Sequence, residues 1–389
     1  MIERLHRYRI HISKIAELGI TAYMLSFGTS MIDTIWALYL YSFFHNASTV
    51  GFVSALFTGA MFFSLLALIP FIERIDESRA FKYIIFINGL IYLAFAINKN
   101  IILLIILTFA NVILLNLRRV SYGILVRDES SIKNLSKNEG LIYNLSNISY
   151  VIGPLVAGFI AEKYSINVVF ALAFLFFMIT TFMLFFVKFR KSHIPKTTHI
   201  NIIKNFINFF RNWKRTTAYF MTMGVKIWWS FIYIFIPIEI INRGYGMVDV
   251  GFFLFIIAFP LIFFEYASGD FVSKAGHKLF YIYGYFILTI LSLVLLYTDS
   301  MILLIFLLFL ASFIFSFLEP MQESFFFKCI KKKDEDLYYP AFLTTTSIGS
   351  TFTKICIAAI LLILPFNFVF LFMAIVMFSM FVIALNISE

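Results

Sequence analysis

The chain has 389 residues, of which 61% are hydrophobic and only 13% charged, with a formal net charge of +10. This balance excludes a soluble globular domain, because apolar runs of about 18 residues or more read as bilayer-crossing helices and here they fill most of the chain. The cations lie between the runs, so topology and lipid headgroups explain them, and no nucleic-acid partner is expected.

The N-terminus begins with basic residues but runs on without a small-residue cleavage site, which predicts a retained first helix and not a cleaved leader. Twelve spans follow, over 16–44, 49–72, 83–97, 101–126, 140–161, 166–187, 216–241, 248–267, 279–297, 301–327, 339–364 and 366–387. The third is short, and its ends are expected to extend into both loops.

The charges segregate. One set of span ends holds Lys14, Arg74, Arg79, Lys82, Arg127, Lys137, Lys274, Lys278, Lys328 and the whole stretch from Lys188 to Arg215. The opposite set holds only Lys99, Lys163 and Arg243. Lys and Arg accumulate on the cytoplasmic side, so both termini and the central loop are expected there, and the segregation requires an even number of spans in each half.

The central loop carries eight cations and no acid between Lys188 and Arg215. Within it Ile203, Phe206, Ile207, Phe210 and Trp213 recur at helical spacing, with Lys204, Asn205, Asn208, Arg211 and Lys214 between them. That pattern predicts an amphipathic basic helix lying on an anionic leaflet.

Short matches then repeat across this loop at a nearly constant offset. Thr21-Ala22-Tyr23 answers Thr217-Ala218-Tyr219, and Gly28 answers Gly224. Val50-Gly51-Phe52 answers Val250-Gly251-Phe252, and Ile152-Gly153 answers Ile348-Gly349. Four matches in order, at equivalent span positions, predict an all-α membrane protein of two pseudo-symmetric six-helix bundles. The expected units are a first bundle over 1–187, a basic linker with its amphipathic helix over 188–215, and a second bundle over 216–389.

Three segments carry a family resemblance. Gly269-Asp270-Phe271-Val272-Ser273-Lys274-Ala275-Gly276-His277-Lys278, between spans eight and nine, resembles the loop motif G-x-L-A-D-R-x-G-R-R, with Ser273 in place of the usual acid. The equivalent loop of the first half keeps only Glu73-Arg74. Arg119-Val120-Ser121-Tyr122-Gly123 resembles R-x-x-Q-G. In span five, Ser149 followed by Gly153-Pro154-Leu155-Val156-Ala157-Gly158 resembles the antiporter motif G-x-x-x-G-P-x-x-G-G, with small residues kept. Small residues let helix backbones approach closely, and Pro permits a bend. Together with the 6+6 pattern, these segments resemble the major facilitator superfamily, and span five resembles its drug:proton antiporters. The resemblance implies alternating access around a cavity lined by spans one, four, seven and ten, with Gly153, Pro154, Gly158, Gly269, Lys274 and Gly276 serving the conformational change.

No enzyme, cofactor or metal constellation presents itself. The six histidines fall in loops or at helix ends, and Cys329 and Cys356 lie on separate segments without a CxxC pattern. A nucleotide-driven pump is not expected, since no Gly-rich phosphate loop occurs.

The informative residues are ionisable groups inside spans, which cost about 2.5–3.5 kcal/mol each at a helix centre and therefore tend to face a cavity. Asp33 in span one is placed to take up and release a proton, and the alternative is a static hydrogen-bonded or paired carboxylate. Lys226, near the middle of span seven, is expected to face Asp33 across the halves, either holding an anionic substrate group or forming a fixed salt bridge. Trp36, Trp229 and Tyr233 offer stacking surfaces, with packing or lipid contact as the plainer reading. Arg118 and Arg119 end span four, and Glu319 and Glu323 end span ten at the equivalent point. Opposite signs on opposite halves suggest an inner gate that pairs when the cavity opens outward and separates when it opens inward, with Glu319 and Glu323 on one helical face and Pro320 bending it. The plainer alternative is that the arginines reach to lipid headgroups. Lys354 and Glu265 are further charges with a structural or gating role.

The expectation is a monomeric secondary transporter of the inner or plasma membrane, exporting a small amphipathic organic compound against protons. The rivals are proton-coupled uptake of a polar metabolite and a non-transporting receptor or scaffold on the same fold.

Overall fold

The computed structural model describes residues 14–72, 77–130, 135–187, 189 and 202–387. Arg4, Glu73, Arg74, Lys133 and the linker cations Lys188, Arg190, Lys191 and Lys196 lie outside the described residues, as do the side chains of Arg127, Lys137, Glu265 and Lys274.

Among the described residues there is no strand. Six helices form the first half: α1 (Lys14–Phe44), α2 (Ala47–Ile72), α3 (Glu77–Ile97), α4 (Ile101–Glu129), α5 (Leu135–Lys163) and α6 (Ile166–Phe186). A short helix, α7 (Ile202–Phe210), precedes α8 (Trp213–Asn242), α9 (Met247–Ala275), α10 (His277–Leu296), α11 (Met301–Leu318), α12 (Met321–Lys328), α13 (Glu335–Ile363) and α14 (Asn367–Leu385). Among the described residues eleven segments are long and apolar enough to cross a bilayer, one of them joining α11 and α12 over Met301–Lys328, and α9 contains a shorter apolar stretch, Met247–Ile262. In lipid every backbone polar group must be satisfied within the chain, and a helix does this without help from neighbours.

The ends follow from local chemistry. Ser165, Asn212 and Ser300 accept backbone N–H groups as N-caps of α6, α8 and α11. The third span does extend beyond its apolar core, starting at Glu77. Span eight does not stop at the expected residue 267; α9 runs on through Gly269 and Lys274 to Ala275. Of that loop motif only Gly276 lies outside a helix, with φ of 82°, a conformation that favours glycine. Span ten is not the continuous helix expected. It breaks between α11 and α12, where Pro320 has no N–H to continue the ladder.

The two halves pack alike. A methyl group on Gly153 of α5 would meet Ser30 of α1, and one on Gly349 of α13 would meet Met223 and Lys226 of α8. The offset from 153 to 349 equals that from 30 to 226. A second correspondence joins the halves to each other: Gly51 of α2 lies against Ala358 of α13, and Gly251 of α9 against Gly158 of α5. The halves thus meet along two equivalent seams, α5 with α9 and α2 with α13, where small residues replace the hydrophobic drive that lipid does not supply.

The linker helix departs from expectation. Trp213 begins α8 instead of closing the amphipathic helix, because Asn212 caps α8 just before it. Phe209, absent from the expected face, is fully buried and packs on Tyr219, Phe326 and Tyr338. Arg215 donates to the carbonyl oxygens of Asn208 at 2.6 Å and Phe209 at 3.1 Å and stacks 4.0 Å over Tyr338. A cation at the C-terminus of α7 satisfies carbonyls that the helix leaves open. The described part of the linker is therefore docked on the second half, with Ile207 still exposed.

Candidate transport site

Between the halves lies a cavity of about 640 Å³. The first half contributes Asp33 and Trp36 of α1, Arg119 of α4, and Tyr143, Asn147 and Tyr150 of α5. The second contributes Lys226, Trp229, Ser230 and Tyr233 of α8, Glu319 at the end of α11, and Thr346, Ser350 and Lys354 of α13. The expected lining from spans one, four, seven and ten is present, and α5, α9 and α13 line the cavity as well. Among the described residues no cluster of His, Cys, Asp and Glu is suited to a metal ion.

We call the end of the bundle where α1 begins and α7 sits the basic end. Hydrogen bonds tie the two halves together at the opposite, far end. There Tyr41 donates to Asn242 Oδ1 at 2.9 Å, Ser48 to the Ala358 carbonyl at 2.6 Å, and the Val248 N–H to Glu162 Oε2 at 2.7 Å. A further bond between the halves, Thr351 to Thr58 at 3.1 Å, lies midway along its helices. Towards the basic end Arg119 and Tyr143 of the cavity wall are exposed, whereas the deeper Lys354 is only 8% exposed. The cavity opens towards the basic end.

Five charged side chains face this space. Tyr150 donates its hydroxyl to Asp33 Oδ2 at 3.1 Å, and Trp229 donates its indole N–H to Glu319 Oε2 at 3.0 Å. Among the described residues no ion pair within 4.0 Å joins the cavity's acids to its cations; the pairs Lys14 with Glu129 and Arg243 with Glu239 lie elsewhere. The cations acting on Asp33 are Arg119, Arg118 and Lys354, while the cation acting on Glu319 is Lys226.

The Lys226–Asp33 ion pair is therefore not formed. Lys226 does not face Asp33 as its counter-charge; it shares the second half with Glu319. A gate of these charges pairs only with the basic end closed, and with that end open Arg118 does not meet Glu319 or Glu323. It turns into the first half, with Nη2 3.4 Å from Thr29 Oγ1 and its guanidinium 5.2 Å from the Phe177 ring. Glu319 and Glu323 have different surroundings, although the backbone stays in the helical region at Glu319 and Pro320. Glu319 stays in the cavity, while Glu323 is exposed and accepts from Tyr339 at 2.9 Å. Trp36, Trp229 and Tyr233 do line the cavity, with Trp229 and Tyr233 tilted 5.9 Å apart.

Among the cavity's charged and hydrogen-bonding residues, sequence reasoning did not place Tyr150 and gave Lys354 only a structural or gating role. Tyr150 follows Ser149 of the small-residue motif, which gave no reason to separate it from other aromatics. The signal for Lys354 was present, as a cation inside an apolar span, but not the direction in which it points.

The family description "Major Facilitator Superfamily" matches residues 18–335. The chain belongs to the Major Facilitator Superfamily. It is a secondary transporter of that type. No curated protein matches its sequence significantly. Among solved structures it is similar to a POT family transporter in complex with a thioalcohol-conjugated peptide, at 12% identity and TM-score 0.77, covering 96% of this chain and 94% of that one. It is also similar to a point mutant of the nucleoside transporter NupG, at 13% identity and TM-score 0.77, covering 95% and 99%. A third is a bacterial homolog of the human lysosomal transporter Spinster, inward-facing and unoccupied, at 11% identity and TM-score 0.70, covering 91% and 83%. At such identities the likeness speaks for the fold of this transporter and not for its substrate.

Proposed function

We propose that this transporter exports a small amphipathic organic compound in exchange for protons, with Asp33 as the proton-carrying group. One observation supports this above the others: Asp33 sits inside the cavity, hydrogen-bonded to a tyrosine and, among the described residues, in ion-pair contact with no cation. A carboxylate fixed in a salt bridge would be held in one charge state, whereas this one is free to change its charge as the cavity changes sides. Its negative charge balances the field of Arg119 and Lys354, so protonation alters what the cavity attracts. Trp36, Trp229 and Tyr233 supply surface for an apolar body, and Lys226 with Glu319 supplies a polar margin.

The basic end is the cytoplasmic one in this reading, following the accumulation of cations there, with both termini on that side of a plasma or inner membrane. The cavity is then open to the cytoplasm, where an exported compound loads. Gly153, Pro154 and Gly158 bring α5 against α1 and α9, forming the seam on which the halves rock, and Gly276 makes the turn between α9 and α10, just after the last turns of α9 that carry Gly269 and Lys274. Closure of the basic end brings Arg119 and Glu319 together as an inner gate, with Arg118 and Glu323 flanking it. The unit is a monomer in contact with lipid.

The second reading is proton-coupled uptake of a polar metabolite, which the five charged side chains around one cavity favour. Direction of coupling separates the two. In reconstituted vesicles, flux of a stabilising ligand against an imposed proton gradient supports exchange, and flux in the same direction as the protons overturns it in favour of uptake. A non-transporting scaffold predicts neither.

A further inference from the structure

Lys354 is the least compensated charge around the cavity. It is 8% exposed and makes no hydrogen bond or ion pair among the described residues. Among the described residues the only opposite charge acting on it is Asp33, beyond 4.0 Å and already holding the Tyr150 hydroxyl. The other cavity cations are not in this position: Arg119 is exposed to the opening, and Lys226 has Glu319 on its own half.

Lys354 is also held in place. Thr351, one turn before it on the same side of α13, donates to Thr58 of α2 at 3.1 Å. Thr346 and Ser350 continue the stripe that Lys354 completes, each four residues from the next, and all three line the cavity. A buried ammonium lacking a partner is costly, and the cost is offset when an anion enters its reach. With Arg119 and Lys226 against Asp33 and Glu319, the cavity holds one more positive charge than negative.

We infer that Lys354 is the specificity-determining residue of the cavity, and that the transported compound carries an anionic headgroup, a carboxylate or sulfonate, which docks on it. The apolar body then lies towards Trp229 and Tyr233. Arg119 adds to the field at the opening and draws the anion inwards. This rests on the reading that the cavity is the transport site, and it is independent of protons and direction.

The test is thermal unfolding of the purified protein with naphthalene-2-sulfonate, set against its neutral analogue naphthalene-2-sulfonamide. The sulfonate raises the apparent Tm of the wild type as ligand binding to the folded state requires. Lys354→Met raises its half-saturating concentration by about tenfold or more, the scale of one charged contact. Lys354→Arg retains it, and the sulfonamide responds to neither substitution. A cooperative transition in Lys354→Met without ligand shows that the variant is folded. Equal sulfonate affinity in wild type and Lys354→Met overturns the inference, as does absence of sulfonate stabilisation in the wild type up to millimolar concentration. Asp33→Asn removes the opposite charge acting on Lys354 and binds the sulfonate at least as tightly as the wild type. Normal proton coupling in that variant removes Asp33 as the proton carrier while leaving the anion site intact, and loss of coupling beside unchanged sulfonate affinity in Lys354→Met does the reverse.

Discussion

Lys226 occupies in the second half the place that Ser30 occupies in the first. Each lies beneath a glycine of the neighbouring helix, Gly349 for Lys226 and Gly153 for Ser30. The repeat kept the backbone approach and changed the chemistry: the first half puts a hydroxyl there, bonded to the Ser149 carbonyl at 3.0 Å, and the second puts a cation beside Glu319.

That relationship makes Lys226 and Glu319 a unit. Lys226→Met alone leaves Glu319 in the cavity with only the Trp229 N–H, and is expected to cost about 1–3 kcal/mol. Adding Glu319→Gln removes the stranded charge, so the double variant is expected to recover most of that loss. A double-mutant cycle on thermal stability checks this, and additive single effects would show that the two do not interact.

The far-end seam leaves no room for side chains. A Cβ on Gly251 would stand 2.5 Å from the Pro154 carbonyl oxygen and 3.0 Å from Gly158 Cα, and both are backbone atoms that do not swing aside. Gly251→Val is therefore expected to prise α9 from α5 and abolish transport while leaving each half folded. Flux through reconstituted vesicles, read beside the helical content of the variant, checks it, and wild-type flux would mean that the seam tolerates a wider spacing.

The second seam is suited to a lock. The Cβ positions of residues 51 and 358 are 2.8 Å apart, close enough that a shift of about 1 Å reaches disulfide geometry. Gly51→Cys with Ala358→Cys, made with Cys329→Ser and Cys356→Ser, is expected to crosslink on oxidation, stop transport, and regain it on reduction. Full transport in the crosslinked protein would mean that this seam does not part during the cycle.

Cys329 gives a pH-dependent readout at the basic end. Burial pushes its thiol up to about 11, and only the thiolate reacts with maleimides. Labelling is expected to be slow at neutral pH and to accelerate about tenfold per pH unit until that value is approached. A rate that levels off near pH 8.5, about the value for a free thiol, would show the residue to be solvated.

The spans and the two-half architecture were legible because hydropathy and charge segregation act over whole helices. Element ends were less so. Nothing in the apolar pattern told that α9 would continue to Gly276, because its last turns, Gly269 to Ala275, are polar enough to read as a loop. Proline at 320 was legible as a gap in the helix ladder, but the different surroundings of Glu319 in the cavity and Glu323 beside Tyr339 depend on neighbouring helices. In the site, Asp33, Lys226, Trp229 and Glu319 were visible as polar or ionisable residues in apolar surroundings. Their partners were not, since pairing depends on helix rotation. Arg118 and Arg119 are adjacent in sequence, yet one enters the first half and the other the cavity. The place of Phe209 was hidden because its burial comes from Phe326 and Tyr338, far along the chain.

Proton movement in vesicles tests the role of Asp33 most directly. Proteoliposomes carrying a pH-sensitive dye are given a compound that stabilises the purified protein, and proton flux is followed in wild type and Asp33→Asn. Wild type is expected to move protons opposite to the compound, and Asp33→Asn to lose that movement while still exchanging labelled compound across the membrane. Undiminished proton flux in Asp33→Asn would contradict a proton-carrying role for this carboxylate.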